Sequence, residues 1–161
     1  MNIFLTTLIV VAAVGSGLIA GLFFTFSTFV MKALGQVAPS HGIEAMQAIN
    51  LTVMNSVTMG VFMGTAVLSL ASVGYAAFNW QMPGSAWLLA GGLLYLASFV
   101  ITAAGNVPMN DALALMDAST RTAAEYWEQY LTNWTYLNHM RTVAAALAVA
   151  AYALAVPSMS A

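Results

Sequence analysis

Four stretches of this chain stay apolar for longer than a soluble domain tolerates, at about residues 3–31, 53–78, 85–105 and 135–156. A helix needs about 20 residues to cross a hydrocarbon layer ~30 Å thick, and each stretch supplies them. Spanning β-strands would alternate apolar and polar residues in short segments, whereas these runs are continuous and rich in Ala, Leu and Val. The expected fold class is therefore an all-α membrane protein: a four-transmembrane-helix bundle with short amphipathic helices in its first and third connections. Little of the 161-residue length remains once the spans are placed, so one domain over residues 1–161 is expected.

Composition narrows the chemistry. Only 5% of the residues are charged, against ~25% in an ordinary soluble domain. Three Lys/Arg residues and a net charge of −2 cannot form the basic surface that a nucleic acid needs. The absence of cysteine excludes disulfides, iron–sulfur clusters and thiolate metal sites. The N-terminal run has no basic flank and exceeds the ~7–15 residues of a signal-peptide core, so a retained first helix is expected. Gly17 and Gly21, and Gly60 and Gly64, are spaced as small-xxx-small pairs; in lipid such pairs allow close helix packing.

Counting spans puts the first and third connections at one membrane face, with both termini and the short "NWQMPGS" turn at the other. All eight charged side chains and both histidines then fall at the first face or next to it. The positive-inside rule makes that face cytoplasmic, and any chemistry is expected there. Pro39 and Ser40 open an amphipathic segment that leads into the second span, and Pro108 should bend or restart the helix that contains it.

Three polar sets converge on this end. Trp127, Tyr130, Trp134, Asn138 and Arg141 recur every three or four residues and so share one helix face. An interfacial aromatic belt with a snorkelling Arg accounts for the aromatics alone; it explains less well why Asn138 and Arg141 share the face with His139 next door. Asn106 and Asn110 flank Pro108, followed by Asp111; they can cap and repair the helix or face a ligand. Gln47, Asn50 and Asn55 stand at the entry of the second span, placed for interhelical hydrogen bonds or ligand contact. On the first helix Gly21, Thr25, Thr28 and Lys32 draw a polar line toward the same end. Ionisable groups at membrane depth are costly and usually line an interior or cavity.

A mononuclear zinc, copper or iron site can be drawn from His41, Glu44, Asp111 and His139, but two histidines without a repeated Glu-x-x-His motif make a poor ligand set. A metal-dependent oxidase and a non-enzymatic membrane module (a small-molecule binder, transporter component or partner subunit) remain alternatives.

The segments "FSTFVMKAL", "GIEAMQAIN", "GNVPMNDAL" and "WEQYLTNWTYLNHMRT", in this order and at these spacings, resemble the anthrone oxygenase family of small four-helix membrane proteins. The resemblance runs from about residue 15 to 150. It implies an oxygenase of a bacterial inner (cell) membrane that oxidises a planar, lipid-soluble phenolic or anthrone-like substrate with dioxygen and no organic cofactor. In that scheme His139 is the expected base, Arg141 and Asn138 act on the developing charge, and Gln47, Asn50, Asn106, Asn110, Trp127, Tyr130 and Trp134 hold the substrate. The lipid bilayer is the other expected partner, and a slim bundle with much lipid-facing surface leaves room for homo-oligomers.

Overall fold

The computed structural model describes residues 3–54 and 57–159; Asn55 lies outside them. The described residues form helices and no strand, in the order α1 (Ile3–Thr25), α2 (Met31–Leu34), α3 (Pro39–Met54), α4 (Val57–Phe78), α5 (Ser85–Ile101), α6 (Val107–Ala114) and α7 (Arg121–Ser158). A π-helical turn, Phe26–Val30, joins α1 to α2, and a second, Thr102–Asn106, joins α5 to α6. Four continuous rods result, Ile3–Leu34, Val57–Phe78, Ser85–Ala114 and Arg121–Ser158, each long and apolar enough to span a bilayer. The protein is an integral membrane protein.

Each rod forms for readable reasons. Pro108 has no N–H, and its ring crowds the carbonyl four residues back, at Ala104. The wide turn over Thr102–Asn106 encloses that position and lets the helix continue, so Pro108 loosens the rod rather than ending it. α6 stops before a turn in which the Asp117 carboxylate accepts from the Ser119 backbone N–H at 2.9 Å and its hydroxyl at 2.7 Å. These bonds, the backbone one first, hold the Asp117 carboxyl below its usual range. Thr120 is extended and accepts from Ala123 N, capping α7. At the opposite end the chain reverses through Gly84, whose φ of +85° suits glycine. α7 runs 38 residues; the amphipathic part of the third connection and the fourth span are thus one helix.

α7 packs along α5 and α1, and α4 closes the bundle against α5 and α1. Ala148, Tyr152 and Ala155 form the buried stripe of α7, in one core with Ile9, Ala12, Ile19, Phe62, Leu88 and Tyr95. Polar groups within this core are bonded: the Tyr152 hydroxyl to Ser69 Oγ at 3.0 Å, and the Tyr95 hydroxyl to the Phe62 carbonyl at 3.0 Å. Backbones approach most closely at glycines other than the expected pairs. A Cβ on Gly91 would sit 2.9 Å from the Tyr152 ring, one on Gly92 2.7 Å from the Ser69 carbonyl, and one on Gly15 would strike Thr65. Gly21, Gly60 and Gly64 face open space, and Gly17 meets only Val149 at 3.8 Å. The small-xxx-small spacing therefore falls on outward faces, because the inward register is set by the large residues that must be buried.

Candidate functional site

The charged end holds a second core of Met31, Ile43, Met46, Leu113, Trp127, Tyr130 and Trp134. α3 lies across this end. Gln47 Nε2 donates to the carbonyls of Leu113 (2.8 Å) and Met116 (3.0 Å), so both amide hydrogens of Gln47 tie α3 to the end of α6.

The stripe expected on α7 is buried throughout, from Trp127 to Arg141. Its aromatics stack on one another: Trp127 on Tyr130 at 5.3 Å between centroids, and Tyr130 on Trp134 at 5.9 Å. Asn110 Oδ1 fixes the ladder by accepting from the Tyr130 hydroxyl at 2.7 Å and from Trp134 Nε1 at 2.8 Å. Asn106 Nδ2 donates to the Trp134 carbonyl at 3.1 Å. α6 and α7 are thereby locked together around the ladder.

About two turns along α7 from Trp134 lies a buried cation. Arg141 is 5% exposed, and the only ion pair among the described residues is the surface pair Arg121–Glu125. Its guanidinium is sandwiched between Phe23 (3.9 Å to the centroid) and Trp134 (4.9 Å), contacts worth ~2 kcal/mol or more when desolvated. Nε donates to Asn138 Oδ1 at 2.9 Å and Nη1 to Thr102 Oγ1 at 3.2 Å. Asn138 in turn donates to the Phe23 carbonyl (2.7 Å) and Ser27 Oγ (2.6 Å). Both π-helical turns border this node: Ser27 belongs to the first and Thr102 to the second. Such turns often mark functional sites.

A cavity of about 370 Å³ opens beside the node. That volume lies near the small end of the ~300–1,000 Å³ typical of small-molecule sites. Its lining includes Gln47 and Asn50 of α3, Asn110 and Asp111 of α6, Thr102, Trp134 and Arg141, and the apolar side chains of Ile19, Leu22, Met59 and Phe62; Asp111 stands nine residues beyond Thr102 on the Ser85–Ala114 rod, toward the charged end. Around Arg141 it offers spare donors, whereas Asp111 contributes a carboxylate. Of the five N–H bonds of a guanidinium, two are engaged in Arg141. Asn50 Nδ2 is buried without an acceptor in bonding geometry, although it lies near the Tyr130 hydroxyl. Asn110 has its oxygen doubly occupied, leaving its amide hydrogens. An unsatisfied buried donor is costly, so a ligand that brings an oxygen acceptor, above all an anionic one, complements the site.

The sequence-predicted residues divide accordingly. Gln47, Asn50, Asn110, Trp134 and Arg141 line the cavity, whereas Trp127, Tyr130, Asn106 and Asn138 stand behind it and position others. Trp127 and Tyr130, expected against a substrate, stack on each other, and Tyr130 also on Trp134. His139 is exposed on the outer face of α7 and does not line the cavity, since consecutive helical residues diverge by ~100° and Asn138 takes the inward position. His41, Glu44, Asp111 and His139 are not gathered: among the described residues no three His, Asp or Glu side chains meet as a metal-binding group. On α1 the Thr25 and Thr28 hydroxyls bond back to Gly21 and Phe24 carbonyls, and Ser27 reaches the node instead. Phe23, Phe26 and Thr102 complete the walls and carry no polar signal or spacing that singles them out in sequence.

A family model described as anthrone oxygenase matches residues 51–151, well over half of the chain. The protein belongs to the anthrone oxygenase family. No curated protein and no solved structure matches the chain. The matched span contains Thr102, Asn106, Asn110, Trp134, Asn138 and Arg141, so it covers the α6 and α7 walls of the cavity. The wall from the first rod, with Phe23 and Phe26, and the α3 cover, with Gln47 and Asn50, precede it.

Proposed function

We propose that this anthrone oxygenase family member is an oxygenase that acts on a planar, lipid-soluble anthrone-like or phenolic substrate with dioxygen and without an organic cofactor. The observation that carries the reading is the buried Arg141 guanidinium, free of any carboxylate partner among the described residues and lining a cavity that also holds the unsatisfied Asn50 amide donor.

The chemistry follows from the substrate's acidity. A CH₂ group conjugated through aromatic rings to a ketone loses a proton, and the electron pair of that C–H bond delocalises onto the ketone oxygen as an enolate. Arg141, Asn50 and Asn110 donors stabilise that oxygen in a dry site, where fixed donors act most strongly. The electron-rich enolate carbon passes one electron to dioxygen, and the two radicals combine into a C–O bond. The peroxide takes up the proton and then loses water, leaving a second ketone. In sum one CH₂ and one O₂ become one C=O and one H₂O. Trp134 and Phe23 offer flat apolar walls for the rings, and the apolar lining suits both rings and dioxygen.

The test is oxygen uptake by the purified protein in lipid nanodiscs with emodin anthrone. Turnover above protein-free nanodiscs is expected, and Arg141→Ala should lower it ~100–1,000-fold, the loss typical for one oxyanion donor. Arg141→Lys keeps the charge but not the planar fork and should fall between. Equal rates with and without protein would overturn the reading for this substrate class.

A further inference from the structure

Removal of a carbon-bound proton requires an acceptor at the cavity, and the walls offer few. Arg141 and Asp111 are the titratable side chains lining it. A guanidinium has only donors. The Tyr130 hydroxyl stands behind the wall with its hydrogen given to Asn110 at 2.7 Å, and His139 faces outward. Asp111 remains. It is exposed, follows Asn110 on α6, and lines the same cavity as Arg141, nine residues nearer the charged end on its rod than Thr102, to which Arg141 is bonded. Although both line one cavity, Asp111 and Arg141 form no ion pair, and among the described residues no hydrogen bond or ion pair engages the Asp111 carboxylate. Two opposite charges held apart across one small cavity leave room for a ligand between them.

Resting on the oxygenase reading, we propose that Asp111 is the general base. In a three-ring anthrone the ketone oxygen and the acidic CH₂ stand on opposite sides of the central ring. With the oxygen at Arg141, the CH₂ is directed toward the charged end. The C–H bond breaks, its electron pair moves into the enolate held by Arg141, and the proton goes to an Asp111 oxygen. Because Asp111 is exposed, the proton can pass to water, while the oxidising step with dioxygen proceeds among the apolar lining residues.

The test separates proton removal from oxidation. Under argon in D₂O, the protein in nanodiscs is mixed with emodin anthrone and deuterium entry at the CH₂ is followed by mass spectrometry. Binding is measured separately by equilibrium dialysis with emodin, the quinone that lacks this C–H. Wild type should accelerate exchange over protein-free nanodiscs; Asp111→Asn should lose ~100-fold or more of that acceleration, the scale of general-base catalysis, yet bind emodin as wild type does. Asp111→Glu should restore part of the exchange, and Glu44→Gln, an exposed carboxylate outside the cavity, should leave it unchanged. Wild-type exchange that persists in Asp111→Asn overturns the assignment alone. Loss of exchange together with loss of emodin binding also overturns it, because Asp111 would then hold the ligand rather than its proton. If wild type accelerates neither exchange nor oxygen uptake, the oxygenase reading falls and the assignment with it.

Discussion

Arg141 donates its Nε to Asn138 one turn back on the same helix, at 2.9 Å, and Asn138 passes the connection across to α1 through the Phe23 carbonyl and Ser27. One fully buried amide thus orients the cation and fastens two membrane helices. Asn138→Ala should leave the Arg141 Nε without its acceptor and cut both bonds to α1 and its π-helical turn, destabilising the bundle by ~1–3 kcal/mol or more, as stranding a buried donor of a charged group does. The measurement is thermal or denaturant unfolding in a fixed detergent, with Asn133→Ala, an exposed neighbour on α7, expected to match wild type. Equal stability of the two variants would show that Asn138 carries no such load.

Asn110 Oδ1 is the shared acceptor of two ring donors, the Tyr130 hydroxyl and Trp134 Nε1. Asn110→Leu keeps the volume but strands both donors, at ~1–3 kcal/mol each. A clear loss of stability is expected, with weaker ligand binding because Trp134 lines the cavity. Asn110→Asp retains the acceptor and should recover most of the stability. Unfolding curves of the two variants side by side decide the matter.

The glycine contacts make a sharp contrast. Gly92→Ala places a methyl 2.6 Å from Val73 Cγ2 and 2.7 Å from the Ser69 carbonyl; since the carbonyl belongs to backbone, the α4–α5 pair must separate, and overpacking of this kind costs ~1–3 kcal/mol. Gly64→Ala meets nothing within 4 Å and should be neutral or slightly stabilising through helix propensity. Melting temperatures that coincide for the two variants would contradict the interface described.

How far the sequence reaches can be judged at single residues. The spans were legible because a bilayer demands a long apolar run, and the Trp127-to-Arg141 face because helical spacing is rigid. What lay between helices was not. Whether Trp127 meets a ligand or Tyr130 depends on how α3 and α6 pack against α7, which no periodicity encodes. Gln47 lines the cavity, but the Leu113 and Met116 carbonyls that take its amide hydrogens are announced by no spacing. His139 is the instructive case, because its chemistry invites a catalytic role while its neighbour Asn138 occupies the inward register. His139→Ala should therefore leave oxygen uptake and stability close to wild type, within the ±0.5 kcal/mol typical of surface changes. A large loss of uptake in that variant would mean that α7 turns a different face to the cavity.

The cover over the cavity yields the last test. α3 is held down by two features: the paired bonds from Gln47 to the end of α6, and Gly42, where a Cβ would lie 2.8 Å from the Leu34 carbonyl and 2.9 Å from the Trp127 ring. Gln47→Leu removes both bonds, although the Leu113 carbonyl keeps its turn bond from Met116 N. Gly42→Val wedges the helix away from Trp127, which is 2% exposed and cannot yield without breaking its stack on Tyr130. Both substitutions should loosen α3 while sparing the four long rods, because the core of Ile9, Tyr95 and Tyr152 lies farther down the bundle. Amide hydrogen exchange should then rise selectively over residues 39–54, and water entering beside Arg141 should weaken its hold on an enolate as the local dielectric increases. A rise spread evenly over all helices would instead place Gln47 and Gly42 in the global fold and not in the cover.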